Sequence, residues 1–144
     1  MSALDKHQMK FFDKILRIQT KKPVEIVDIT SQISQLVQES KINKGIAIVY
    51  SPHTTTALII NENEPGLIKD IEGAVKDIVP WGKNYAHNAI DNNAPSHIVG
   101  SFLGNSLNLI ISKGNLELGT WQSIFFVELD GPRSRKVLVR IVGE

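Results

Sequence analysis

The amino-acid sequence predicts an α+β fold, with a mostly antiparallel β-sandwich core and two or three flanking helices. Three observations carry that prediction. Apolar, β-branched runs recur through the first half of the chain, and from Leu107 onward the pattern is wholly β. One long segment after Pro65 instead places Leu67, Ile68, Ile71, Ala74, Val75 and Ile78 at the i, i+3/i+4 spacing of a helix face. The elements then run β-β-α-β-β-α-loop-α-β-β-β-β, an order that argues α+β with helices on the outside. At 144 residues and 42% hydrophobic content, the chain reads as one domain over 1–144 with enough apolar surface for a core.

Residues 9–19 mix aromatic, aliphatic and polar side chains in imperfect alternation and read as the first strand. Residues 24–29 read as the second, after the Lys21-Lys22-Pro23 turn. Thr30 or Ser31 can cap a helix running to about Ser40, with Ile33, Leu36 and Val37 on one face. Residues 45–50 are strongly apolar, the pattern of a central strand buried on both faces, and residues 57–60 form a second such run. Between them, Ser51-Pro52-His53-Thr54-Thr55-Thr56 should bring His53 out at a sheet end. Pro65 suits the first turn of the next helix, and Asp70 should border its buried stripe rather than open solvent. A loop rich in Asn, Gly and Pro spans 80–95 and carries His87. Pro95 and Ser96 begin a short helix, with Ile98 and Phe102 one turn apart and His97 in its first turn. Strands at 107–111, 116–118, 124–129 and 137–142 complete the chain, with turns at 113–115 and 130–132.

Composition excludes several partners. A formal net charge of +1, with scattered Lys and Arg, gives neither the field nor the basic stripe that a nucleic-acid backbone or a membrane surface would call for. The absence of Cys removes disulfides and thiolate metal sites, so any metal must take nitrogen and oxygen ligands. The N-terminal stretch lacks the apolar core of a signal peptide, and no segment approaches the ~18 apolar residues of a membrane span. The expectation is a soluble, cytoplasmic protein.

The histidines are the strongest functional signal. His7 lies in the polar N-terminal stretch, but His53, His87 and His97 each sit in a polar, turn-flanked string. A histidine that merely packs in a core belongs in an apolar run, and none of these does. Neutral imidazole is the commonest transition-metal ligand and a proton shuttle near neutral pH. Three such nitrogens and a water would form the open tetrahedral site of a catalytic zinc. No pair has the i, i+4 spacing of a helical metal motif, however, and each ring can equally cap a turn or fill a polar notch. Among the carboxylates, Glu62 at a strand end and Asp70 can accept protons or bind a hard cation such as Mg²⁺, whereas Glu64 suits a helix dipole. In Gly119-Thr120-Trp121-Gln122, N–H groups and a hydroxyl can meet an anion while the indole walls a heteroaromatic ring; the alternative is a β-bulge with Trp121 in the core. Arg133 and Arg135 flank a tight turn, with Glu128 on the strand before it. Their forks suit phosphate oxygens, and paired charges on a hairpin equally suit a solvated edge.

Read in register, these strings resemble the YjbQ-like family of secondary thiamine-phosphate synthases. The matches are His53-Thr54-Thr55 followed by Ala57, Asn61-Glu62-Asn63, Asp70, Tyr85-Ala86-His87, Ser96-His97-Ile98, Gly104-Asn105-Ser106-Leu107, Gly119-Thr120-Trp121-Gln122, Glu128, and Arg133 with Arg135. They cover the chain from about residue 9 to its end; Ser123 departs from a Gly that often follows the Trp-Gln pair. The resemblance implies a small α+β fold with a β-sandwich core, usually a homotrimer. It also implies a cleft in which His53, His87 and His97 hold a divalent ion, zinc or magnesium. The implied activity joins hydroxymethylpyrimidine pyrophosphate to thiazole phosphate, giving thiamine phosphate and pyrophosphate, so the partners are small phosphorylated metabolites. On this reading Arg133 or Arg135 holds a phosphate, Thr54, Thr55, Thr120 and Gln122 bind substrate, and Trp121 stacks on a ring. Asp70 orients a histidine or completes the ligand set, and Glu62 or Glu128 handles protons. Two other readings stay open: a metal-dependent hydrolase of a small phosphorylated or amidated metabolite, and a non-enzymatic ligand-binding or scaffold protein whose histidines tie loops together.

Overall fold

The computed structural model describes residues 8–144, so His7 lies outside the described residues. Strands β1 (Lys10–Gln19) and β2 (Glu25–Asp28) lead into α1 (Thr30–Ser40). Strands β3 (Gly45–Tyr50) and β4 (Thr56–Glu62) lead into α2 (Pro65–Ile78). After a short 3-10 turn at Ala86–Ala89 come α3 (Ala94–Leu103), β5 (Ser106–Ser112), β6 (Asn115–Leu116), β7 (Gln122–Glu128) and β8 (Ser134–Gly143). The expected order is found. The loop expected over 80–95 contains one turn of helix, and the strand expected at 116–118 pairs only at Asn115 and Leu116.

All pairings are antiparallel, in one sheet of order β1-β8-β3-β5-β6 and another of order β2-β7-β4. Alternation along the strands decides which side chains meet. Ala47, Val49, Leu109, Ile111, Val137, Val139 and Ile141 of the larger sheet pack with Leu58, Ile124 and Phe126 of the smaller, and α1 adds Ile33 and Val37. The opposite face of the smaller sheet presents Ala57 and Val127, which pack with Val75 and Val79 from α2 and its end and with Val99 of α3. The smaller sheet is therefore covered on both faces, which is why β4 and β7 read as continuous apolar runs.

The same expectation fails for β3. It is central in its sheet, yet only Ala47 and Val49 are buried, while Ile46, Ile48 and Tyr50 on the other face are exposed. An apolar run does not by itself record whether the fold covers both of its faces. Phe11, Ile15 and Ile110 are exposed as well, and a hollow of about 750 Å³ lies among Ile15, Ile48, Tyr50 and Leu138.

Helix ends follow local chemistry, with one correction. Neither Thr30 nor Ser31 caps α1: Ile29 holds the cap position without a side-chain bond. Asp28 Oδ1 accepts from the Thr30 N–H (2.8 Å) and hydroxyl (2.6 Å), and Thr30 Oγ1 accepts from the Ile124 N–H (2.8 Å), fastening α1 to β7. At α2, Pro65 takes the first position and the Glu64 carboxylate accepts from the N–H groups of Gly66 (2.8 Å) and Leu67 (2.7 Å). The expected buried stripe of α2 is only partly buried, because its core contacts run from Ile71 to Val79. Ile78 is exposed, and so is Asp70, contrary to its expected place beside a covered stripe. Among the described residues, no helix is long and apolar enough to cross a membrane.

The two N–H bonds hold the Glu64 carboxyl below the ordinary carboxylate range. A group whose pKa falls on folding adds stability above its unfolded value and loses it as pH drops through the folded one. Replacing Glu64 with Ala should therefore lower Tm at pH 7. In a calorimetric series, the gap to the parent should close as pH is taken from above the ordinary value of 4.5 to below the depressed one.

Candidate functional site

The link from β3 to β4 carries the chain from the larger sheet to the smaller, and its polar groups are tied down one by one. The Ser51 N–H donates to Asn105 O (2.8 Å), and the hydroxyls of Ser51 and Thr56 share a buried bond of 2.6 Å. Thr55 O accepts from the Leu129 N–H (3.1 Å). Helix α3 lies close against this link because residue 100 is glycine. A Cβ there would stand 3.1 Å from Thr56 O and 3.4 Å from Thr54 O. Ser96 Oγ donates to Leu129 O (2.6 Å) and pins the start of the same helix. As a result His53 and His97 line one cleft of about 430 Å³, together with Tyr50, Thr54, Ser101 and Asn105. His87, on the 3-10 turn, meets the His97 ring edge to face, with centroids 4.8 Å apart and planes at 75°.

Beside His53 an ion pair is buried between the sheets. Arg135 of β8 donates from Nε to Glu128 Oε1 (2.9 Å) and from Nη2 to Oε2 (2.6 Å), and Nη2 also donates to Thr55 Oγ1 (2.9 Å). Glu128 of β7 is fully buried and also accepts from the Thr20 hydroxyl (2.7 Å) and the Leu129 N–H (3.1 Å). Thr20 Oγ1 in turn accepts from the Arg133 N–H (2.8 Å). Among the described residues, no buried side-chain nitrogen or oxygen lacks a partner. Both carboxylate oxygens of Glu128 are engaged, so the pair suits a framework more than proton transfer.

Hydrogen bonds assign two of the imidazoles. The Lys136 N–H donates to His53 Nε2 (3.0 Å), so that nitrogen carries no proton and Nδ1 carries it. Burial, and then the Arg135 charge, push the His53 pKa below its ordinary 6.5. Asn93 Nδ2 donates to Asp130 Oδ2 (3.1 Å), which leaves its Oδ1 to accept from His87 Nε2 (3.1 Å).

The residues singled out from sequence divide into two groups. His53, Thr54, Thr55, His87, His97, Glu128, Arg133 and Arg135 belong to the end of the fold just described. Arg133 is exposed there and paired with Asp130 (3.0 Å). At the other end of β7, Glu62 pairs in register with Gln122, whereas Thr56 pairs with Glu128. At roughly 3.3 Å per residue, Gln122 stands about 20 Å from Glu128. Gln122 Oε1 accepts from the Gly119 N–H (2.8 Å), closing the loop that presents Thr120 and Trp121. The indole fills no core; it is 72% exposed. Asp70 is exposed on α2 and lines none of the clefts described above.

Among the described residues, no three His, Cys, Asp or Glu side chains are grouped to hold a metal ion. The Nε2 lone pair of His53 is already engaged, which leaves the adjacent rings of His87 and His97. Three further residues were not singled out from sequence: Thr20, Asn93 and Asp130. Thr20 follows the first strand as an ordinary turn residue, and its partner Glu128 is far along the chain. Asn93 and Asp130 sit in turn-rich strings that gave no sign of contact.

Removing one partner of a buried pair leaves the other charge uncompensated. Glu128→Gln or Arg135→Met should each destabilise the fold by about 3–5 kcal/mol in denaturant titrations. The double variant Glu128→Leu/Arg135→Met should cost less than the two together. For His53, a depressed folded pKa gives stability that is complete above the ordinary 6.5 and declines as pH falls toward the folded value. His53→Asn should flatten that decline.

The fold recurs in other proteins, and so does much of the sequence. The pattern described as UPF0047 protein YjbQ-like matches residues 14–144. A UPF0047 protein of Methanothermobacter thermautotrophicus is 46% identical over 136 residues, covering 94% of this chain and 95% of that one. A crystal structure of a YbjQ-like protein from Sulfolobus solfataricus P2 superposes with a TM-score of 0.94 at 40% identity, over 95% of this chain and all of that one. A YjbQ/UPF0047 protein from Clostridium acetobutylicum gives 0.85 at 39% identity, over 89% and 98%. On sequence and fold alike, this chain belongs to the YjbQ-like UPF0047 family.

Proposed function

We propose that this chain is a transferase of small phosphorylated metabolites, joining hydroxymethylpyrimidine pyrophosphate to thiazole phosphate as the YjbQ-like resemblance implies. The observation that carries the reading is the convergence of His53 and His97 on one cleft, with His87 against His97. In this reaction the thiazole nitrogen lone pair forms a C–N bond to the pyrimidine methylene carbon. The C–O bond to pyrophosphate breaks, and its electron pair leaves with the pyrophosphate. Charge therefore develops on the leaving group, and fixed donors are what stabilise it. The Nδ1–H of His53, the Thr54 hydroxyl and His97 are such donors at the cleft. Arg133 can exchange its exposed pairing with Asp130 for a phosphate, while Arg135 and Glu128 hold the frame.

A divalent ion, zinc or magnesium, would add charge neutralisation when bound. His87 and His97 supply two nitrogens for it, and a second copy of the chain must supply the rest. Gln122 at the far end of β7, Glu62 paired with it on β4, and Thr120 and Trp121 in the loop before β7 are too far from Glu128 to serve their own chain's cleft and act, in this reading, on a neighbour's. A homotrimer is accordingly part of the proposal. It is supported by the bare outer face of the larger sheet, where Phe11, Ile15, Ile46, Ile48 and Ile110 are exposed together. One observation favours a scaffold instead: His53 and His87 each make a bond that ties a loop, to Lys136 and to Asn93.

Incubation with both substrates, read by mass spectrometry, should yield thiamine phosphate and pyrophosphate. His97→Ala should lower kcat at least a hundredfold with an unchanged Tm. Hydrolysis of one substrate alone would favour the hydrolase, and no turnover the scaffold. Protein purified without chelator should carry metal that His87→Ala and His97→Ala lose. Light scattering should give three chain masses for the parent and a smaller species for Ile48→Asp.

A further inference from the structure

Arg17 in β1 and Lys136 in β8 are direct partners in the antiparallel register. Like charges placed opposite one another destabilise a sheet. Four residues along the same ladder, Asp13 stands opposite Arg140 and takes its guanidinium with two bonds of 2.8 and 2.7 Å. The ladder thus balances its charges at one position and leaves two cations facing each other at another. Among the described residues, the ion pairs are Arg133–Asp130, Arg135–Glu128 and Arg140–Asp13, and neither Arg17 nor Lys136 has a carboxylate.

These two cations line a pocket of about 410 Å³, together with Gln19, His53, Ser134 and Arg135. No Asp or Glu lines it. The Arg135 charge is cancelled by Glu128, so the uncompensated charge is that of Arg17 and Lys136. His53 lines it as well, its Nε2 held by the Lys136 N–H. The volume is in the range of small-molecule sites. Uncompensated cations and no acid within that volume suit a small polyanion.

We propose that this pocket binds a diphosphate group, with Arg17 and Lys136 as its charged ligands. The anion relieves the repulsion between them, and it lies next to the catalytic cleft because His53 lines both. The inference deepens the synthase reading by giving the leaving group a seat. Its test reads binding alone, so failure of that reading would leave it standing.

Isothermal titration of the whole protein with inorganic pyrophosphate, and separately with inorganic phosphate, makes the test. Pyrophosphate should bind at least tenfold tighter than phosphate and raise Tm. Arg17→Gln/Lys136→Gln should weaken pyrophosphate at least tenfold, with a Tm in its absence equal to or above the parent's. Lys41→Gln/Lys113→Gln, which removes the same charge elsewhere, should bind as the parent does. The proposal is overturned if millimolar pyrophosphate gives neither heat nor a Tm shift, or if the two double variants behave alike. It is also overturned if the Arg17/Lys136 variant changes only the size of the assembly while the parent ignores pyrophosphate.

Discussion

A guanidinium and a carboxylate buried side by side hold one end of this sandwich together. Arg135 comes from the larger sheet and Glu128 from the smaller, and Thr20 and Thr55 complete the set from the segments that enter and leave those sheets. Taking two charges out of water costs several kcal/mol per ion, and their attraction offsets this only when geometry is good and the remaining donors and acceptors are satisfied. Here they are. The arrangement gives little net stability over a well-packed apolar substitute, but it tolerates very little displacement. A shift of the β3–β4 link would strand Thr55, and a shift of the turn before β8 would strand Thr20.

That intolerance is what makes the neighbouring cleft a defined object. His53 leaves the link one residue before Thr54, and its ring accepts from the backbone of Lys136, the residue after Arg135. Its tautomer and its place between the cleft and the cationic pocket follow from the strand that carries the ion pair, while its lowered pKa comes from burial first and the Arg135 charge second. Helix α3 then brings His97 to the same cleft through the missing side chain at Gly100. Charge, backbone and close packing converge here from opposite sheets.

Much of the architecture was legible because local rules governed it. Apolar, β-branched runs marked the strands, the spacing of Leu67 to Ile78 marked α2, and Pro65 with Glu64 marked its start. What failed to show was covering at a distance. The run at β3 looked buried on both faces, yet its chain leaves Ile46 and Ile48 bare. Asp70 looked tucked beside a stripe that the fold only partly covers, and Trp121 could have been core or wall until its exposure was known. The site was legible as strings but not as a geometry. His53 meets residue 136 and Thr20 meets residue 128 through contacts that no local pattern encodes. The separation of Trp121 and Glu62 from the histidines follows from strand register alone.

The central claim is that the Arg135–Glu128 pair fixes the state of His53. Imidazole ¹⁵N shifts of the parent and of Glu128→Gln, recorded near pH 7, read that state directly. The account predicts a single Nδ1–H tautomer in the parent and a mixture of tautomers in the variant. A parent that already averages both forms, or a variant indistinguishable from it, would contradict the account.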